Sequence, residues 1–235
     1  MNLIKDGNIV YDKELLECFR VFKNRVDAGR KLAEACKLVI KETDYVFAVP
    51  RGGVPVGVQV ANALKSKFDL IICRKLLIPW NREAGFGAVD PDGNVFVDDV
   101  FVSMIGLSSR DVEEAIKEQL NEIRHRNKVL RGGKPYPNLS GKSVILVDDG
   151  IAAGYTMSVA LNFVKNRGAS KVFVAVPTGS YKSVIRLANK TNLIICLNLR
   201  SGAWFAVADA YKHWYDLTDD DVIKFLKQLK TEHES

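Results

Sequence analysis

Apolar residues in this chain fall into short unbroken stretches separated by longer segments of helical spacing. The stretches DYVFAVP at 44–50, DLIIC at 69–73, VILV at 144–147, KVFVAVP at 171–177 and NLIICL at 192–197 have the length and β-branched content of strands buried on both faces. Helical spacing of apolar positions covers 13–42, with a break expected near Gly29, and continues over about 54–67. A long polar helix is expected from Ser108 or Ser109 to Leu130, another opens near Thr156, a short one covers 181–190, and a last one runs from Thr218 to Lys230. Strands alternating with helices predict an α/β fold with a mainly parallel central sheet flanked by helices. Residues 76–106 break this rhythm with Pro79, Gly85, Gly87, Pro91, Gly93 and Gly106, and their alternating NVFVDDVFV suggests a hairpin strand outside the core.

Composition narrows the class without choosing within it. At 235 residues, 47% hydrophobic and 26% charged, the chain can bury a core and needs no staple. A net charge of +6 suits a polyanionic small substrate, a nucleic acid or a merely solvated basic surface. The basic run Arg124, His125, Arg126, Lys128 and Arg131 reads first as a solvated helical face, so nucleic acid is not the expected partner. Cys18, Cys36, Cys73 and Cys196 are widely spaced, as are His125, His213 and His233, which predicts neither a disulfide framework nor a transition-metal site. MNLIKDGNIV carries charge early and lacks a long apolar run, so neither a signal peptide nor a membrane span is expected and the cytoplasm is the default compartment.

Candidate chemistry concentrates where strands end. VILVDDGIAAGYTM, 144–157, delivers Asp148 and Asp149 to the carboxyl end of a strand, the edge at which open α/β sheets bind ligands. Gly150 and Gly154 let backbone approach an anion, and the following helix directs its amino end at the same place. A carboxylate pair beside a phosphate site needs another task, which sugar hydroxyls or a bound magnesium ion would supply. The competing reading is an Asp pair that caps a helix in an ordinary α/β protein. PRGG at 50–53 repeats the strand, glycine loop and helix order and offers Arg51, Gly52 and Gly53 to a pyrophosphate; alone, it also reads as a tight turn. Arg74 and Lys75 follow the next apolar stretch and would neutralise the same anion or simply solvate a strand end.

VILVDDGIAAGYTM and PRGG together resemble the signature and pyrophosphate loop of type I phosphoribosyltransferases. RKLLIPWNREAGFGAV at 74–89 resembles the opening of that family's hood loop, with Glu83 and Gly87 at recognisable places. VFKNRVDAGRKLAEAC, RNKVLRGGKPYPNLSGKSVILVDDG and AWFAVADAYKHWYDLTDDDV resemble a subfamily of phosphoribosyltransferases with an undefined acceptor. The resemblance implies the type I phosphoribosyltransferase fold as a single domain over 1–235, with a small hood near 76–106 and 198–235, and often a non-proline cis peptide in the PRGG loop. It further implies phosphoribosyl pyrophosphate (PRPP) as substrate, Mg2+ as cofactor, a nitrogen acceptor such as a nucleobase, and a homodimer. Asp148 and Asp149 would hold the ribose hydroxyls and act as the catalytic pair. Gly150, Ile151, Ala152, Ala153, Gly154, Tyr155 and Thr156 would wrap the 5′-phosphate, and Arg51, Gly52, Gly53, Arg74 and Lys75 would face the pyrophosphate. Magnesium would arrive with PRPP and reach Asp148 and Asp149 through water.

Departures from the family pattern matter. Ala153 replaces a frequent Thr whose hydroxyl helps hold the phosphate, Tyr155 stands where a small residue is usual, and Ala152 lacks the acid of the hypoxanthine-guanine branch, which disfavours that branch. A non-catalytic PRPP or nucleotide regulator on the same fold is the alternative from another class. GKS at 141–143 is not the end of a P-loop, because Tyr136 occupies the glycine position and a strand follows, and no GxSxG elbow supports a hydrolase. Trp204, Phe205, Tyr211, Trp214 and Tyr215 could stack on a heterocycle, with core and hood packing as their default role.

Overall fold

A computed structural model describes residues 1–202 and 204–233, with Glu83 and 230–233 described by backbone alone. The chain opens with β1 (Leu3–Asp6) and β2 (Ile9–Asp12), an antiparallel hairpin turning at Gly7, which has φ +57°. Helix α1 (Arg25–Val39) follows, and the Asn24 side chain caps it by accepting from the Asp27 N–H at 3.0 Å. Of the helical pattern expected over 13–42, the part before α1 is realised only as a 3-10 turn, Lys13–Leu15, because Glu17 and Arg20 adopt φ of +57° and +54° and interrupt it. Gly29 does not break α1 either. A Cβ there would lie 2.9 Å from Val56 Cα, so this glycine lets α1 pack directly on the backbone of α2 (Gly53–Leu64).

Strand β3 (Tyr45–Ala48) precedes α2, and β4 (Lys67–Leu70) follows it. The stretch expected to run as one strand to Cys73 stops at Leu70, where the Cys73 N–H donates to the Ile71 carbonyl at 3.0 Å in a three-residue turn. The redirected chain forms a separate antiparallel sheet of β5 (Arg74–Ile78), β6 (Asn81–Val89) and β7 (Val95–Val97). Arg74 and Lys75 therefore open a strand of this small sheet instead of ending a core strand. The Asp98 side chain ends the hairpin early by capping α3 (Asp99–Ile105), and Ser108 and Asp111 form a capping box on α4 (Ser109–Arg131).

The chain then returns through β8 (Ser143–Val147), α5 (Tyr155–Asn166), β9 (Lys171–Ser180), α6 (Tyr181–Ala188), β10 (Leu193–Arg200) and α7 (Asp219–His233). The main sheet has the order β1-β2-β10-β9-β8-β3-β4, and every pairing except β1 with β2 is parallel. Val144 to Val147 are fully buried in its centre, between apolar clusters on the two faces. This stacking brings the carboxyl ends of β3 and β8 side by side, which is where both glycine loops begin.

Candidate functional site

Between those two strand ends the loops are in direct contact. Val49 donates its N–H to the Val147 carbonyl at 2.9 Å, continuing the pairing past β3, and the Pro50–Arg51 peptide bond is cis. A Cβ on Gly53 would lie 2.8 Å from the Val147 carbonyl oxygen and 2.9 Å from Asp148 Cα, and one on Gly52 would overlap the Asp149 carboxylate. Both glycines of PRGG are required because the loop rests on the carboxylate pair. The loop is itself hydrogen-bonded: Gly53 N–H donates to Val49 O at 3.1 Å and Val54 N–H to Arg51 O at 3.2 Å, so those two amides are already engaged.

The two carboxylates have different surroundings. Asp148 Oδ1 accepts from the Asp149 N–H at 2.8 Å, and burial together with the neighbouring Asp149 charge holds the Asp148 carboxyl well above the usual carboxylate range. Asp149 Oδ2 instead accepts from Arg25 Nε at 2.7 Å. Arg25 is buried, donates through Nη1 to the Tyr215 carbonyl at 2.8 Å, and lies 3.7 Å from the centre of the Trp214 ring. The Tyr211 hydroxyl donates to the Asp149 carbonyl at 2.6 Å, and burial, reinforced by the Asp149 charge, pushes its pKa upward. Arg25, Tyr211 and Trp214 thus fix Asp149, and sequence reasoning assigned none of them to the site.

The loop after Asp149 is pinned to the carboxyl end of β9. Ile151 N–H donates to Thr178 O at 3.0 Å, and Ser180 N–H donates to Ile151 O at 2.8 Å. Gly150 fits beneath Val207, whose Cγ1 would stand 2.6 Å from a Cβ there, and Gly154 turns with φ +75° into α5. Ala152 and Ala153 are exposed, and the Ala153 carbonyl accepts from Arg186 of α6. The first bond of α5 runs from Ser158 N–H to Gly154 O, which places the amides of 155–157 at its open end. Tyr155 directs its hydroxyl to Asp98 Oδ2 at 2.7 Å and its ring to Phe96 at 5.5 Å, so its side chain is committed to the small sheet. Burial and the Asp98 contact raise the Tyr155 pKa to about 12, and the same hydrogen bond lowers that of Asp98.

On the other flank, Arg74 Nε donates to Gln119 Oε1 at 3.1 Å, and burial followed by the charge of Arg126 lowers its pKa. Arg51 projects to within 4.0 Å of Asp219 at the start of α7. Lys75, the next residue of β5, lies on the opposite face of that strand, exposed, with its stem across Gly85. The structure therefore gathers Asp148, Asp149, PRGG and residues 150–156 in one mouth, with Arg74 at its flank and Lys75 turned to the other side of the strand. The Glu83 side chain lies outside the described residues. Among the described residues no group of three or more His, Cys, Asp or Glu side chains is placed to hold a metal, and no helix is long and apolar enough to cross a membrane.

A flanked parallel sheet that gathers two glycine loops around an acidic pair is the type I phosphoribosyltransferase fold. Residues 22–213 match the phosphoribosyl transferase domain, and the chain belongs to that family. It is 35% identical over 207 residues to a Mycobacterium tuberculosis protein named "putative phosphoribosyl transferase", covering 88% of this chain and 46% of that one. The chain thus spans about half the length of the curated relatives it matches. The crystal structure of TT1426 from Thermus thermophilus superposes with a TM-score of 0.70 at 32% identity, covering 88% of this chain and 98% of that one.

Proposed function

We propose that this protein transfers the 5-phosphoribosyl group of PRPP to a nitrogen acceptor, of nucleobase type, with release of pyrophosphate. The observation that carries this reading is the seating of PRGG on the carboxylate pair, with no room for a side chain at Gly52 or Gly53. A phosphate at 150–156 and a pyrophosphate at PRGG would bracket a ribose lying over Asp148 and Asp149. Asp149 holds one oxygen on Arg25 and keeps Oδ1 for a ribose hydroxyl, and Tyr211 fixes its backbone. In the reaction the bond from C1 to the pyrophosphate oxygen breaks and its electron pair leaves with pyrophosphate. The acceptor nitrogen then gives its lone pair to C1 and releases its proton to solvent. Positive charge developing on the ribose is stabilised by the acidic pair, and the departing anion by Arg51 and Arg74. No protein nucleophile is needed, since positioning and charge supply the catalysis. Paired carboxylates beside a diphosphate match the usual donor set of magnesium, which keeps its waters and takes one or two carboxylates with substrate phosphates. When bound, it would neutralise the diphosphate, and Asp148 and Asp149 are the residues that would hold it through water.

Calorimetric titration of PRPP with magnesium into wild type and the Asp148→Asn/Asp149→Asn double variant tests this, followed by pyrophosphate release against a panel of bases. The expected result is wild-type binding weakened by on the order of a hundredfold in the variant, with acceptor-dependent release. Binding without release for any acceptor would favour a PRPP-responsive regulator, and absence of wild-type binding would overturn both readings.

A further inference from the structure

A second group of charges stands beside the PRGG loop. Arg126 of α4 belongs by sequence to a basic helical face expected to be solvated, yet its side chain is only 8% exposed. It turns inward and donates from Nε to Glu122 Oε1 at 2.7 Å. Its Nη1 lies 3.9 Å from Asp219 Oδ1, and Arg51 Nη1 approaches the same oxygen at 4.0 Å from the other side. Neither approach is a hydrogen bond. Among the described residues that buried Asp219 oxygen has no hydrogen-bond partner at all. Arg74, held on Gln119, completes the group; burial and the charges of Arg126 and Arg51 disfavour its guanidinium, and Glu122 and Asp219 only partly oppose them.

Three guanidiniums from three separate elements therefore converge here, two of them about 4 Å from an Asp219 oxygen that bonds to neither, with Glu122 holding only Arg126 Nε. Like charges are not gathered and partly desolvated without cost; Glu122 offsets part of it through Arg126 Nε, and an Asp219 oxygen about 4 Å from two of the guanidiniums recovers little more. A diphosphate presents more oxygens, more charge and a longer span, and guanidinium forks match phosphate geometry well. We propose that Arg126, together with Arg51 and Arg74, forms a diphosphate-binding subsite in which Asp219 is a placeholder displaced when the diphosphate enters. This rests on the transferase reading in taking the pyrophosphate arm of PRPP as its occupant. It adds a third arginine from α4 and gives the start of α7 a role in setting affinity.

Inorganic pyrophosphate is the probe, titrated by calorimetry into wild type, Arg126→Gln, Arg126→Lys and Asp219→Asn, with ribose 5-phosphate as control and melting temperatures recorded for each. Arg126→Gln should weaken pyrophosphate binding by about tenfold, with Arg126→Lys intermediate and ribose 5-phosphate affinity unchanged in both. Asp219→Asn should tighten pyrophosphate binding several-fold, a direction that general damage to the fold does not produce. Pyrophosphate affinity within twofold of wild type in Arg126→Gln, weaker binding in Asp219→Asn, or no binding to wild type would each overturn the subsite. Arginine-dependent pyrophosphate binding without PRPP turnover would keep the subsite and remove the transferase reading. PRPP turnover with pyrophosphate affinity indifferent to Arg126 would do the reverse.

Discussion

Helix α4 carries two buried arginines with opposite situations. Arg131 is saturated: it grips Asp69 through Nε at 2.8 Å and Nη2 at 2.7 Å, donates to Asn127 and to the Lys134 carbonyl, and covers the Tyr136 ring at 3.6 Å. It lines a groove of about 1300 Å³ with Lys65, Lys67, Lys134 and Lys227, at the amino ends of β3 and β4. Arg126 faces the opposite edge, where a carboxylate stands nearby and makes no bond with it. The groove has the volume and the positive charge, but its buried cation is already satisfied. In the mouth Arg126 Nε is held by Glu122, but its Nη1 and the buried Asp219 oxygen face each other without a bond, and that remaining capacity is what the proposed subsite would use.

The largest way to break this contrast is at Gly52. Gly52→Ala drives a methyl into the Asp149 carboxylate, and PRPP affinity measured by calorimetry should fall by on the order of a hundredfold. A variant that binds normally would show that the loop and the acid are not interlocked. Arg131→Leu should act on the other region alone. Removing one partner of a buried pair costs ~3–5 kcal/mol, and because Asp69 is partly solvated a loss of about 2 kcal/mol in urea unfolding is expected, with PRPP affinity unchanged. Weakened PRPP binding there would make the groove part of the ligand site.

A smaller effect follows from Asp148. Its pKa in the folded protein lies above the ordinary value of 3.8, so between that value and the folded pKa the native state keeps a proton that the unfolded chain has released. That stability is fully present below the ordinary value and is lost as pH rises through the folded pKa. Melting temperatures recorded from about pH 4 upward should therefore fall more for wild type than for Asp148→Asn. Parallel curves would mean that Asp148 ionises in the fold as freely as in the unfolded chain.

What was legible in the sequence depended on locality. Asp148, Asp149 and the glycines after them share one strand and its turn, and PRGG does the same, so each loop could be read from its own residues. Their mutual contact follows from β3 pairing with β8, which a parallel sheet with right-handed crossovers makes accessible. Arg25 was not legible, because 124 residues separate it from Asp149 and nothing in its helix distinguishes it from other basic positions. Arg126 was hidden in the same way among its neighbours on α4. The opening hairpin did leave a signal, the two-residue turn Gly7-Asn8 between two short apolar runs. Arg74 was placed one element too early, since the three-residue turn at Ile71 to Cys73 contains no glycine or proline to announce it.

The clasp on Asp149 bears on the order in which the protein is made. Arg25 leaves the ribosome before the signature strand, and Tyr211, Trp214 and Tyr215 leave after it. Domains gain structure progressively during synthesis, but this carboxylate cannot acquire its native surroundings until translation has passed residue 215. The nascent chain can thus hold most of its sheet while its acidic pair is still unassembled, because the contacts that fix Asp149 come from residues that follow the last strand of that sheet.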